Sequence, residues 1–463
     1  MTTLIKNIQL IDGSGRPGAR TDLLIKGKLI SAIGNLSKYR AEETIDGLGA
    51  ILSPGFIDLH SNIDHYLGIS KEDPQKKLLL SGVTTAIGGQ DGVSLAPLIY
   101  GSLEAASSWT CGKGVNINWR TMREFLKIFS QKKLFINFGT FAGYGTILSS
   151  VVKPASGEIH PNEFRVIRMM IERSLEEGAL GISFDRAPFL NNLPHEELRK
   201  TLAIIARLNS VYSLRLPLDD ERNINKIIYQ TEQAGVKTVI SHLEPTKENG
   251  SRYEKAVEEI AANAARTDIL FEVYPRAYTL WNIDELWQIL NSQKKFKGID
   301  IAIISAPHHE YLEGRSLTFW SRARGLTLVQ ALDALKKLLG NNAVFSFKNV
   351  DEEKLIKTLT SDRSLVASLD GHSKNLENLP FPTFLSTIEK RKVIPVEKLI
   401  HKITGLPAQK LNLKKRGLIK TGNWADLVLW QGSKIYEVFV NGQRVVREGK
   451  VENIAAGEVL KRS

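Results

Sequence analysis

His60, His242 and Asp370 are the residues of this 463-residue chain whose types and placement best suit metal-assisted chemistry. Each closes a short apolar run: GFIDLH (55–60), TVISHL (238–243) and SLVASLD (364–370). Two neutral imidazole nitrogens and a carboxylate suit a borderline divalent ion such as Zn²⁺. Such an ion brings the pKa of a bound water to about 7 and so supplies a nucleophile at neutral pH. Asp370 could then take the proton from that water and pass it to a leaving amine. Singly, each residue has a plainer reading. A lone His after a strand is more often a hydrogen-bonded structural group, and Asp370-Gly371 alone is a turn signal. Only the joint placement points to a site.

The elements that would position them recur along the middle of the chain. Five further runs of strand character are VTTAIGG (83–89), LFINFGT (134–140), ALGISF (179–184), VYSLRL (211–216) and ILFEVYP (269–275). Helical periodicity lies between them, as in EFRVIRMMIERSLEEG and YEKAVEEIAANAART. Eight strand–helix repeats predict an α/β fold, a (β/α)₈ TIM-like barrel over residues 55–414. In such a barrel the chemistry sits at the C-terminal strand ends. Those ends carry His60 with Asn62, Asp64 and His65; Asp91; Tyr144; Asp185; Arg215; His242 with Glu244; Glu272 with Tyr274; and Asp370 with His372. About ninety residues separate the seventh run from the eighth, too many for a simple crossover, and predict an insertion subdomain at about 285–350. Both chain ends alternate as short strands with turns, including Asn441-Gly442, a strong hairpin signal. Residues 1–54 and 415–463 therefore predict one small β-sandwich domain built from both termini.

Composition removes several function classes. The single cysteine, Cys111, excludes a disulfide-built scaffold and a Cys-rich zinc site. With 62 Lys plus Arg against 50 Asp plus Glu the net charge is +12, but the basic residues are scattered rather than gathered with aromatics on one face. No nucleic-acid partner is expected. The longest apolar runs fall far short of the roughly 20 residues that span a bilayer. The N-terminus alternates as a strand and does not read as a signal peptide, so a cytoplasmic protein acting on a small molecule is expected. The sequence leaves a homo-oligomer open. DGSGRPG lacks the Lys-Ser/Thr of a phosphate loop, and His308-His309 read as loop residues of the insertion.

SPGFIDLHSNID after a β-rich N-terminus resembles the opening of the amidohydrolase superfamily. More narrowly, GVTTAIGGQDGVSLAP, FAGYGTIL, EGALGISF, VISHLE, EVYP, SLDG and ITGLPAQKLNLKKRGLIKTGNWADLVLW follow the order of its D-aminoacylase branch over nearly the full length. The resemblance implies a metal-dependent barrel that hydrolyses the amide bond of an N-acyl amino acid or a similar small molecule, using one divalent metal, Zn²⁺. It implies that His60 and His242 are metal ligands, that Asp370 is the catalytic acid/base, and that Arg215 grips a substrate carboxylate beside Tyr144 and Tyr274. The chain also departs from the branch. Asn62 stands where a second His is expected, Asp91 where a metal-holding Cys is expected, Tyr144 within Gly143-Tyr144-Gly145 where a His is expected, and Ser213 in place of another His. A carboxylate can replace a thiolate on zinc, so Asp91 joins the implied ligand set. Asn62, Asp64 and Asp185 are candidate helpers. Two readings follow: a hydrolase with a rebuilt metal centre, or a barrel that has lost catalysis and keeps a binding or scaffolding role.

Overall fold

The apolar runs become parallel strands in the computed structural model, which describes residues 1–99, 117–152, 159–185, 193–216, 223–247, 249–292, 301–306, 309–340, 343–368 and 380–462. Phe56–Asp58, Val83–Gly88 and Asn137–Thr140 pair in a three-stranded parallel sheet. The third run breaks at Phe141 and resumes as Ala142–Gly143, the first strand of a six-stranded parallel sheet. Gly181–Asp185, Val211–Arg215, Lys237–Ser241, Ile269–Val273 and Ser364–Val366 follow it in chain order. The fold is thus α/β, and several strands are buried at every position, as parallel strands covered on both faces must be. One apolar cluster collects Leu59, Ile87, Phe141, Leu180, Val211, Val239, Leu270 and Leu365, a residue in or beside each of the eight runs. The Asp58 carboxylate, at the end of the first strand, accepts the Ser368 backbone N–H at 2.9 Å and the Ser368 hydroxyl beyond the last.

The intervening helices follow their sequence logic. In Met122–Ser130, Met122, Phe125, Leu126 and Phe129 fall on one buried face. Its start is fixed by a capping box: Thr121 Oγ1 accepts the Glu124 N–H at 3.2 Å, and Glu124 Oε2 accepts the Thr121 N–H at 3.1 Å. Each buried Phe of that face contributes about 1.5–3 kcal/mol.

Strands from the two chain ends join in one nine-stranded sheet. The seam is Ile51–Pro54 against Leu427–Gln431, antiparallel. Asn441 and Gly442 close the Lys434–Val440/Gln443–Arg447 hairpin with φ of 49° and 78°, the turn that the two residue types favour. A Cβ on Gly442 would strike the Gly27 carbonyl oxygen. The hairpin is tied to the third parallel strand through a buried polar network. Arg416 pairs with Asp426, Asp426 Oδ1 accepts the Asn441 N–H at 2.7 Å, and Asn441 Nδ2 donates to Asn137 Oδ1 at 2.8 Å. Asp426→Ala leaves the Arg416 guanidinium buried without its carboxylate. It is expected to cost about 3–5 kcal/mol in chemical denaturation, with a loss under about 1 kcal/mol contradicting this account.

Between the seventh and eighth parallel strands a separate antiparallel sheet forms, Thr279–Asn282 and Ile301–Ser305 flanking Val344–Phe347. It has an apolar cluster of its own, centred on Ile283, Ile301, Ile303, Leu332, Leu335 and Phe345.

Candidate metal centre

As the parallel strands end, the backbone turns through the left-handed region at Asn62 (φ 52°), Asp91 (φ 54°) and His242 (φ 58°). For a residue with a Cβ each such turn costs about 1–2 kcal/mol, a cost that persists where the surrounding structure imposes it. His60 needs no such turn. Its N–H donates to Asp58 Oδ1 at 3.3 Å, which sets the first strand's exit.

His60, Asp91 and His242 come together, with one ligand atom from each inside 4.8 Å of the others. Asp91 Oδ2 lies 3.2 Å from His242 Nε2 and 3.4 Å from His60 Nε2. The two imidazole rings meet edge to face at 5.6 Å. Behind His60, Nδ1 is held by Glu272 Oε2 at 2.8 Å, and the same oxygen accepts the Tyr274 hydroxyl. Tyr274 Oη in turn accepts the His242 N–H at 3.0 Å. The carboxylate thus orients the His60 ring, and the phenol holds the backbone at His242. Burial pulls the His60 imidazole down, but the Glu272 and Asp91 carboxylates outweigh it and push it up to about 10. Burial alone would raise the Asp91 carboxyl, yet the facing His242 and His60 hold it well below the usual range. Burial, reinforced by the neighbouring carboxylates, drives the Tyr274 phenol well above its ordinary value.

Around this triplet the remaining strand-end residues take distinct places. Asp64 is buried, and burial pushes its carboxyl up to about 6 although the Gly89 N–H donates to Oδ2 at 2.7 Å. The approach is close enough that a Cβ on Gly88 would lie 2.7 Å from the Asp64 carboxyl carbon. Asp64 Oδ1, Asn62 Oδ1 and Tyr144 Oη are buried without hydrogen-bond partners among the described residues. Tyr144 stacks on Phe184 at 4.6 Å. Arg215 Nη1 donates to Asp185 Oδ2 at 3.0 Å, and its Nε lies 3.8 Å from Asp91 Oδ2. Ser213 donates to Gln90 Oε1 at 2.8 Å. Asp370, His372, Cys111 and the side chain of His65 lie outside the described residues. Sequence reasoning placed Glu272 at a strand end without giving it a task. The signal was a carboxylate inside the apolar run ILFEVYP, which burial permits only with partners.

The donors fit a divalent ion on two counts. His60 Nε2 is fully buried, makes no hydrogen bond among the described residues and lies 3.4 Å from Asp91 Oδ2. Two imidazoles and a carboxylate are a standard donor set for zinc, and a histidine ligand that hands its second nitrogen to a carboxylate is the usual supporting arrangement.

No family model matches the chain. It is 27% identical over 482 residues to a D-aminoacylase of Alcaligenes xylosoxydans xylosoxydans, across 98% of this chain and 96% of that one. A solved D-aminoacylase superposes with a TM-score of 0.85 at 24% identity, covering 99% of both chains. The N-acyl-D-glutamate deacylase of Bordetella bronchiseptica, solved with zinc and a phosphonate mimic of the tetrahedral intermediate, gives 0.85 at 21% identity over 100% of this chain and 99% of that one. From end to end, the chain resembles the D-aminoacylase branch of the amidohydrolases.

Proposed function

We propose that the protein is a metal-dependent amidohydrolase that cleaves an N-acyl-D-amino acid into a carboxylate and the free amino acid. The observation that carries this reading is the His60–Asp91–His242 triplet, gathered at the strand ends and braced by Glu272 and Tyr274. The end-to-end similarity to D-aminoacylase supports the substrate class. His60, Asp91 and His242 would hold one divalent ion, Zn²⁺, which polarises a carbonyl and renders water nucleophilic near neutral pH. Asp370, at the end of the eighth run, is assigned the proton: it receives it from the attacking water and delivers it to the amide nitrogen as the C–N bond breaks. Arg215, Tyr144 and Tyr274 form the substrate side, with Asn62, Asp64 and Asp185 as helpers. A working site explains why three strand ends converge with a braced histidine, so a barrel retired from catalysis is not favoured.

The same reading extends to the architecture. The cluster with a residue from each of the eight runs, and the Asp58–Ser368 bonds between first and last, support closure as a (β/α)₈ barrel over 55–414. We assign the nine-stranded sheet to a β-sandwich domain of 1–54 and 415–463, and the separate antiparallel sheet to an insertion at about 285–350, with its first strand, Thr279–Asn282, lying just before those bounds. No helix among the described residues is long and apolar enough to cross a membrane. A cytoplasmic enzyme on a small-molecule substrate, with a homo-oligomer open, completes the proposal.

The test is metal analysis of protein purified without chelator, followed by hydrolysis assays on matched N-acyl-D- and N-acyl-L-amino acids. A single divalent ion per chain and hydrolysis of the D series, lost in Asp370→Asn, are the expected results. Absence of both metal and hydrolysis sinks the reading.

A further inference from the structure

Arg276 lies in the turn after the seventh parallel strand, three residues beyond Val273, on the same side as the triplet. Its side chain is only 5% exposed. Nη2 donates to Glu244 Oε1 at 3.2 Å, and Glu244 is equally buried beyond the end of the sixth strand. The other two nitrogens, Nε and Nη1, are buried and have no hydrogen-bond partner among the described residues. The guanidinium carbon sits 4.9 Å from the centre of the Tyr274 ring, and that ring is 5.6 Å from the His242 ring and 6.1 Å from that of His60. Arg276 is therefore one aromatic ring away from the candidate metal centre.

A guanidinium is always charged and presents its N–H groups as a flat fork that matches the two oxygens of a carboxylate. Leaving such donors dehydrated and unpaired is costly, and proteins keep few of them. The orphaned donors here belong to one planar group held in place by Glu244 on one side and the Tyr274 face on the other. Arg215, by contrast, is already committed to Asp185 at 3.0 Å and stands beside Asp91. Arg276 gives Glu244 only Nη2 and keeps Nη1 without a partner among the described residues, so a substrate carboxylate need not displace Glu244.

We propose that Arg276 is a specificity-determining residue that receives a carboxylate of the substrate, one oxygen at the unpartnered Nη1 and the other at the second hydrogen of Nη2 beside it. The inference rests on the amidohydrolase reading and deepens it by naming the residue that reads a substrate carboxylate, so that neutral amides of the same size are poor ligands. Glu244 acts as a positioning residue, fixing the fork by its bond to Nη2. The carboxylate can be that of the amino-acid backbone or of an acidic side chain, and the experiment separates the two.

The test is calorimetric binding to the metal-loaded full-length protein, with Asp370→Asn as background so that turnover does not interfere. Four ligands are used: N-acetyl-D-glutamate, N-acetyl-D-glutamine, the α-amide of N-acetyl-D-glutamate, and the α-amide of N-acetyl-D-glutamine, which carries no carboxylate. The expected result is that at least one carboxylate-bearing ligand binds about 10–100-fold more tightly than the neutral diamide, the range of a charged hydrogen-bonded contact. Preference retained by N-acetyl-D-glutamine assigns the fork to the α-carboxylate. Preference retained only when the side-chain carboxylate is present assigns it to an acidic side chain. Arg276→Lys keeps the charge opposite Glu244 but loses the fork, and is expected to erase most of the discrimination. Because Arg276→Met alone would strand Glu244, the double variant Arg276→Met/Glu244→Gln removes both charges, and it should bind all four ligands alike. Equal binding of the four ligands by the parent protein overturns the proposal, as does undiminished discrimination in either folded variant. Since binding is read without turnover, a protein that discriminates but never hydrolyses fails only the amidohydrolase reading. One that hydrolyses neutral and anionic substrates alike fails only this one.

Discussion

Asp91→Asn is expected to abolish both metal retention and amide hydrolysis. Asp91 Oδ2 is the atom shared by the two histidines, 3.2 Å from His242 Nε2 and 3.4 Å from His60 Nε2. An amide oxygen in its place has no charge to offset that of a divalent ion, and hard or borderline cations hold carboxylates far better than amides. The loss in metal affinity should exceed the ~10–100-fold typical of removing a group that only orients a ligand. Elemental analysis after dialysis and kcat/KM on an N-acyl-D-amino acid would be measured together. The informative companion is Asp91→Cys. A thiolate is a strong zinc ligand, so this variant should recover metal, and with it a measurable part of the activity. If Asp91→Asn keeps its metal and its rate, the ion does not sit between the two histidines.

The backbone around Asp91 sharpens the same expectation. Asp91 and His242 both occupy the left-handed region, which residues with a Cβ enter at a cost. Neither conformation is needed to continue a strand or to cap a helix at these positions. Both aim a side chain at a common point, and the triplet gathers there. Strain of this kind is retained where the surrounding packing over-determines it, here the buried ends of the strands that finish at Gly88 and Ser241.

Much of this arrangement could be read from the chain before any coordinates. Near-continuous apolar runs such as VTTAIGG and ILFEVYP leave no solvent-facing alternation, so they predict strands covered on both faces, and each run forms one. Asn441-Gly442 demands a tight hairpin because both residues tolerate positive φ, and the hairpin is there. His60 and His242 stood out because a polar ring ends an apolar strand. What a one-dimensional pattern lacks is distance across the fold. Glu272 and His60 are 212 residues apart in sequence and 2.8 Å apart in space, and no spacing rule connects them. Pro275-Arg276 reads as an ordinary turn, since nothing in the residue types tells that the guanidinium turns inward onto Tyr274. Arg215 illustrates the converse: its residue type suits a substrate carboxylate, and the structure shows one of its nitrogens bonded to Asp185.

Glu272→Gln should separate the two jobs that this carboxylate performs. It keeps the size and can still hydrogen-bond Tyr274 and His60, so the fold should survive, but it removes a charge 2.8 Å from His60 Nδ1. The first job is support. A carboxylate behind a ligating imidazole fixes its orientation and raises its basicity, and loss of such a group typically weakens metal binding by about 10–100-fold. The second job works against metal uptake. Burial pulls His60 down, while Glu272 and then Asp91 push it up to about 10, so the metal-free site holds a proton that an incoming ion must displace. Below that value metal affinity rises with pH, because binding releases the proton. Without Glu272 the His60 pKa falls, fewer protons need to leave, and the slope of log affinity against pH flattens at the alkaline end of the window. The variant's deficit should therefore be widest at alkaline pH, where only lost support counts, and narrower toward neutrality, where relief from proton competition offsets part of it. Competition titrations with a chromophoric chelator across that range read both quantities at once. Parallel lines for the two proteins would show that His60 carries no extra proton in the metal-free state. Equal affinities throughout would show that it is not a ligand.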